Sequence, residues 1–155
     1  MIVIVALDGV LRSQNNSVIQ DGRLLVECMR TAGKIVVISN DSKESATRWL
    51  KQNRISYDDI VDNSVDLGGF DTLKRIQINR IRTTGQVKFL VDHDPEVIAW
   101  AMSEGVTCAM FVHPVYALPK SRPDADTPRR SWDDIQKEYD KQQNLLDGES
   151  EDADL

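Results

Sequence analysis

Residues 2–11, Ile2-Val3-Ile4-Val5-Ala6-Leu7-Asp8-Gly9-Val10-Leu11, form an unbroken β-prone apolar run that meets an acidic turn. A strand that is apolar on both faces belongs inside a parallel sheet covered on each side by helices, and its C-terminal end lies at the rim where open α/β sheets bind ligands. The stretch therefore predicts a central strand that delivers Asp8 to that rim. It is too short to span a bilayer, has no basic residues before it and reaches Asp8 at once, so it predicts neither a signal peptide nor a membrane helix.

Downstream, the pattern alternates. Ile19 to Ala32 has helical spacing through Leu24, Leu25, Cys28 and Met29, and Gly33 stops it. Lys34 to Ser39 reads as a second buried strand, after which Asp41 and Glu44 form a capping-box-like start for a helix carrying Ala46, Trp49 and Leu50. Ile60-Val61 is a short strand flanked by acids. Gly68-Gly69 breaks the chain before a third helix with Phe70, Leu73, Ile76 or Gln77, and Ile81. Val87 to Val91 is a strand closing on Asp92-His93-Asp94-Pro95, with Pro95 suited to the first turn of the helix bearing Val97, Ile98, Ala101 and Met102. Gly105 ends that helix, and Val106 to Val112 is a fifth strand.

Strands alternating with helices in this way predict an α/β domain over residues 1–113: a doubly wound, parallel, five-stranded Rossmann-like sheet with helices on both faces. Residues 114–130 read as a Pro/Arg-rich linker containing Pro119, Arg122, Pro123, Pro128, Arg129 and Arg130. Residues 131–146 read as a C-terminal helix opened by Ser131 with Asp134, carrying Trp132, Ile135, Tyr139 and Leu145 or Leu146. Residues 147–155 are acidic and small-residue rich, the composition of a disordered tail.

The 155 residues suffice for a single core, and 41% hydrophobic with 28% charged residues is an ordinary globular composition. Nineteen basic against 25 acidic residues give a formal charge of −6, and five of the acids, Asp147, Glu149, Glu151, Asp152 and Asp154, sit in the tail. The body is close to neutral, which gives no global electrostatic argument for a nucleic-acid or membrane partner. Cys28 and Cys108 lie far apart without CxxC spacing and read as reduced core residues, which predicts a cytoplasmic protein.

Residues just past strand ends converge at the rim of such a sheet. In order these are Ala6 and Asp8, then Ser39 and Asn40, then Asp92, His93 and Asp94. Each has a local structural role to offer as well. Asp8 before Gly9 suits a turn, Ser39 and Asn40 suit a helix cap, and Asp94 before Pro95 suits an N-cap. His93 and His113 read as turn or surface residues, Lys74, Arg75, Arg80 and Arg82 as a solvated helix face, and Trp49, Trp100 and Trp132 as packing residues.

Taken together, the order resembles the haloacid dehalogenase (HAD) phosphatase superfamily, whose first motif is a hydrophobic strand followed by Asp-x-Asp-Gly-(Thr/Val)-Leu. The resemblance implies that Ala6 stands where the nucleophilic aspartate is expected, that Asp8 holds the general acid/base position, and that Ser39, with Asn40, binds phosphate. It assigns metal binding to Asp92 and Asp94 with the main-chain carbonyl of Asp8. Lys74, with Arg75 beside it, is the nearest cation to the charge-neutralising lysine, although the sequence places both inside the third helix, with Gly68-Gly69 at the helix start. Neither gap in which such enzymes insert a cap domain has room for one, so the site is expected to be open and suited to macromolecules. The pattern from Phe89 to Val112 is similar to the phosphatase half of polynucleotide kinase-phosphatases, and the layout resembles HAD-like proteins encoded by phages, which implies the host cytoplasm.

With a methyl group at position 6, no phosphoaspartate can form and one metal carboxylate is lost, so Mg²⁺ binding is expected to be weak or absent. The resemblance then implies a pseudophosphatase acting as a binding or assembly module for a protein partner or a phosphorylated macromolecule. The alternative is a Mg²⁺-dependent phosphomonoesterase acting on nucleotides or nucleic-acid ends, with an engineered Ala6.

Overall fold

The computed structural model describes residues 1–65, 71–113 and 133–153. Five strands, β1 (Ile2–Ala6), β2 (Lys34–Ile38), β3 (Asp59–Val61), β4 (Val87–Asp92) and β5 (Cys108–Met110), form one all-parallel sheet in the order β3-β2-β1-β4-β5. Four helices alternate with them: α1 (Gln20–Met29), α2 (Lys43–Gln52), α3 (Leu73–Arg82) and α4 (Pro95–Ser103). A fifth, α5 (Asp133–Ala153), packs against α4. This is the expected α/β architecture.

β1 takes the centre because all five of its residues are apolar and buried, and hydrogen-bonded neighbours flank it on both sides. Val3, Ile4, Val5 and Leu7 are fully buried beside Ile35, Val37, Leu90 and Val91. Successive strands step away from β1 through β2 to β3, and the chain then crosses to β4 on the other side. The reversal of strand order therefore falls between β1 and β4, where a crevice opens at the strand ends.

Several elements differ in detail from expectation. β5 is confined to Cys108–Met110, shorter than 106–112. α1 turns Gly22, Leu25, Val26 and Met29 inward, so Leu24 and Cys28 are exposed; Cys28 is a surface thiol, not a core residue. Gly22 explains the rotation, because a side chain there would overlap the Val10 carbonyl. The cap of α2 is Ser42, whose Oγ accepts from Ser45 N–H at 3.3 Å, while Asp41 is committed elsewhere. α5 begins at Asp133 and runs to Ala153, so the backbone of residues 147–153 continues the helix expected at 131–146. Gly68-Gly69, Phe70, the linker 114–130, Ser131 and Trp132 lie outside the described residues. No helix among the described residues is long and apolar enough to cross a membrane.

Candidate functional site

Asp92 ends β4 and is fully buried. Lys74, in the first turn of α3, donates from Nζ to both carboxylate oxygens, at 2.9 and 3.0 Å. The N–H groups of His93 and Asp94 donate to Oδ1 at 2.7 and 3.1 Å, and His93 Nδ1 lies 3.1 Å from the same oxygen. Burial pushes the Asp92 pKa up, but the Lys74 charge and the contacts to His93 outweigh it and hold the carboxyl well below the usual carboxylate range. Asp92 is thus a buried anion paired with a partly buried cation.

Lys74 reaches Asp92 because α3 starts later than the glycine pair suggested. Leu73 is its first residue and Thr72 its N-cap position. Lys74 therefore sits at the helix start, which corrects its expected placement inside the helix. The register of α3 is fixed by Gln77, a fully buried side chain whose Nε2 lies 2.8 Å from the Ser39 carbonyl, 3.2 Å from that of Val61 and 3.0 Å from that of Asp62. One side chain thereby ties α3 to the ends of β2 and β3, three residues beyond Lys74.

A second charged cluster surrounds Asp8. Arg12 Nε donates to Asp8 Oδ1 at 2.7 Å, and Arg12 Nη1 lies 2.8 Å from Asp41 Oδ2. The guanidinium also sits 5.7 Å above the Trp49 ring, whose Nε1 donates to the Asn16 carbonyl at 2.9 Å. Burial works against the charge on Arg12, but hydrogen bonds and Coulomb attraction from Asp8 and Asp41 outweigh it and raise its pKa. Arg12 has only 8% of its surface exposed. The guanidinium therefore welds the β1 turn to the start of α2, and Asp8 is its main anchor.

The turns after β1 and β4 also interlock. Gly9 adopts φ +86°, and a Cβ there would overlap the His93 ring. His93 is thus in the bend after β4, as its sequence context suggested, with its ring packed against the β1 turn and not at the surface. Ala6, 1% exposed, ends β1 opposite Ile38 with only a methyl group to offer. Ser39 is buried, and its Oγ accepts from Asp41 N–H at 3.0 Å. Asp94 caps α4, accepting from Glu96 N–H at 3.0 Å.

Between the starts of α3 and α4 lies a cleft of about 200 Å³ lined by Asn40, Thr72, Leu73, Lys74, Arg75, Asp94, Glu96 and Val97. Of the residues singled out in the sequence, Asn40, Lys74 and Asp94 meet here, with Asp92 held behind Lys74; Ala6, Asp8 and Ser39 do not line it. The N-terminus of α3, which has no side-chain cap, and the Lys74 ammonium offer donors to an oxyanion, whereas the N-terminus of α4 is already taken by the Asp94 carboxylate. A divalent cation is a different matter. Magnesium needs free oxygen ligands, whereas both Asp92 oxygens face an ammonium and Oδ1 faces two backbone N–H groups. Among the described residues no group of three or more His, Cys, Asp or Glu side chains is placed to hold a metal ion. As placed, both Asp92 oxygens are already engaged by Lys74.

Arg12 and Gln77 carry this geometry without having been identified in the sequence. Arg12 sits in a polar turn whose partner Asp41 is far along the chain, which no local pattern reveals. Gln77 was legible only as an inward helix position.

No family model and no curated protein matches the chain. Solved structures of similar fold do. One is described as the structure of the Pnkp1/Rnl/Hen1 RNA repair complex, with a TM-score of 0.60 and 19% identity over 74% of this chain and 43% of that one. Another, of the Pnkp1/Rnl/Hen1 complex, gives 0.59 and 19% over 74% of this chain and 46% of the other. The chain spans less than half the length of the solved chains it matches, and at this identity the likeness is one of fold. What it shares with a chain of each of these complexes is the α/β fold.

Proposed function

We propose that the chain is a HAD-like phosphatase fold retained as a non-catalytic module that recognises a phosphorylated macromolecule through the cleft between α3 and α4. The observation that carries this reading is Ala6, a buried methyl group at the end of β1 where covalent phosphoryl transfer would need a carboxylate. The Lys74–Asp92 and Arg12–Asp8 pairs support it. Each satisfies an acid that the resemblance assigns to metal binding or proton transfer, so the site is neutralised by its own cations and Mg²⁺ is weak or absent. Asn40, Lys74 and the N–H groups at the start of α3 hold the phosphoryl oxygens. Free Cys28 and Cys108 are in keeping with a reducing cytoplasm, the host's if the chain is phage-encoded.

Inorganic phosphate titrated in the presence of a chelator tests the reading. Saturable shifts of the Thr72, Lys74 and Asn40 amides in NMR spectra, unchanged by adding Mg²⁺, are expected. Binding that appears only with Mg²⁺ would overturn it.

A second reading, a phosphomonoesterase with an engineered Ala6, draws on the assembled Lys74–Asp92 pair beside an open cleft. Under it, Ala6→Asp gains Mg²⁺-dependent hydrolysis of a generic phosphomonoester. No gain would remove it.

A further inference from the structure

Right-handed crossovers place α1 and α2 on the sheet face opposite α3 and α4. There a pocket of about 420 Å³ lies between α2 and the turn after β1, and it shares no residue with the cleft. Ser45, Arg48, Trp49 and Gln52 of α2, with Asn53 at its end, form one wall, and Arg12 and Asn16 form the other. The second wall is pinned to the first. Asn16 takes φ +64°, a conformation asparagine tolerates; its carbonyl accepts from Trp49 Nε1 at 2.9 Å and its N–H donates to the Ser13 carbonyl at 3.1 Å. No carboxylate lines the pocket, whose polar side chains are two guanidinium groups, three amides, a hydroxyl and the Trp49 indole.

Arg12 is more than nine-tenths buried, yet one of its nitrogens remains uncommitted. Nε and Nη1 are taken by Asp8 and Asp41, whereas Nη2 makes no hydrogen bond with any described residue and is not sealed from solvent. Arg48 is exposed and in no ion pair among the described residues, as are Lys51 and Arg54 beyond it. Asp8 and Asp41 stand on the other edge of Arg12, and even with Glu44 counted the acids are outnumbered by Arg12, Arg48, Lys51 and Arg54.

We propose that this pocket binds a small hydroxylated anion, its oxyanion held between Arg12 and Arg48 and its hydroxyl groups set against Asn16, Ser45, Gln52 and Asn53. Guanidinium donors match the oxygens of a carboxylate or phosphate, and amides and hydroxyls, which both donate and accept, match a polyol body. The volume falls within the range of small-molecule sites and exceeds the needs of a bare ion. Trp49 supplies the main apolar surface, but only 8% of it is exposed and Arg12 lies 5.7 Å from its ring, so a flat base or a hydrocarbon finds no platform.

The test is NMR titration of the full chain with gluconate and, separately, with glycerol 3-phosphate, each repeated with Arg48→Gln. Arg48 is exposed, so the variant keeps its fold, which the unchanged dispersion of its spectrum verifies. Saturable shifts of the Trp49 indole and the Asn16 amide are expected with at least one compound, and the tighter of the two identifies the oxyanion. In the variant the Kd read from those resonances should rise about tenfold, while any response of the cleft amides Thr72 and Lys74 stays as it was. Absence of saturable shifts with both compounds, an unchanged Kd in Arg48→Gln, or equal shifts with sodium chloride at matched ionic strength would each overturn the proposal. Because the two sites share no residue, loss of the cleft response alone would count against the cleft and leave this pocket standing.

Discussion

Replacing Lys74 with Met removes the ammonium and keeps an unbranched stem of similar length. Asp92 has no exposed surface, so the variant leaves a carboxylate buried without its counterion. Breaking a buried pair from one side costs about 3–5 kcal/mol, and the two backbone N–H groups and His93 that remain place the expected loss near the lower end, about 3 kcal/mol. For a chain of this size that lowers Tm by roughly 6–12 °C.

The effect depends on pH in a defined direction. In the unaltered chain the Asp92 pKa is depressed below its ordinary 3.8, so its contribution is complete above that value and is lost as pH falls through the depressed pKa. In the variant, burial acts without the opposing cation and the pKa rises above the unfolded one. The penalty is then present at neutral pH and relieved as pH falls through the raised pKa. Urea unfolding followed by tryptophan fluorescence at about pH 7 and about pH 5 should give a smaller difference between the two proteins at the lower pH. Adding Asp92→Asn to the variant should recover much of the loss at neutral pH. A deficit under about 1 kcal/mol, or one equal at both pH values, would refute the reasoning.

Three other substitutions probe the scaffold, each read by denaturant unfolding. Gly22→Ala places a methyl on the Val10 carbonyl and should destabilise by about 2–3 kcal/mol as α1 is pushed off the β1 turn; a neutral result would contradict that contact. Arg54 has φ +54° at the end of α2, where its N–H donates to the Lys51 carbonyl at 3.1 Å and Ile55 N–H donates to that of Leu50 at 3.0 Å, so Arg54→Gly should stabilise by about 0.5–1 kcal/mol. Gln77→Leu leaves the Ser39, Val61 and Asp62 carbonyls without this donor and should cost about 2–3 kcal/mol, with Lys74 amide resonances shifting as α3 loosens.

The fold was legible because its signals are local. An apolar run such as Ile2 to Leu7 and the alternation of strand and helix patterns need no knowledge of distant partners. The strand-end residues were legible for the same reason, since topology brings them to one rim. The remainder was hidden where a competing local signal misled or where the partner is remote. Gly68-Gly69 looked like the helix start, yet Asp71-Thr72 before Leu73 was the better cap signal, and reading it would have put Lys74 in the first turn. Leu24 and Cys28 have helical spacing but lose the inward face to Gly22, whose fit against Val10 is a tertiary contact. Asp41 looked like the cap of α2; Arg12, buried and without any other anion in reach of its own turn except Asp8, takes it instead.

The central claim, that the site recognises phosphate without turning it over, is tested most directly by phosphomonoester hydrolysis in the presence of Mg²⁺ by the unaltered chain beside Asp8→Ala. The account predicts release of phosphate at the rate of the buffer alone for both proteins. Mg²⁺-dependent turnover by the unaltered chain that disappears in Asp8→Ala would contradict it.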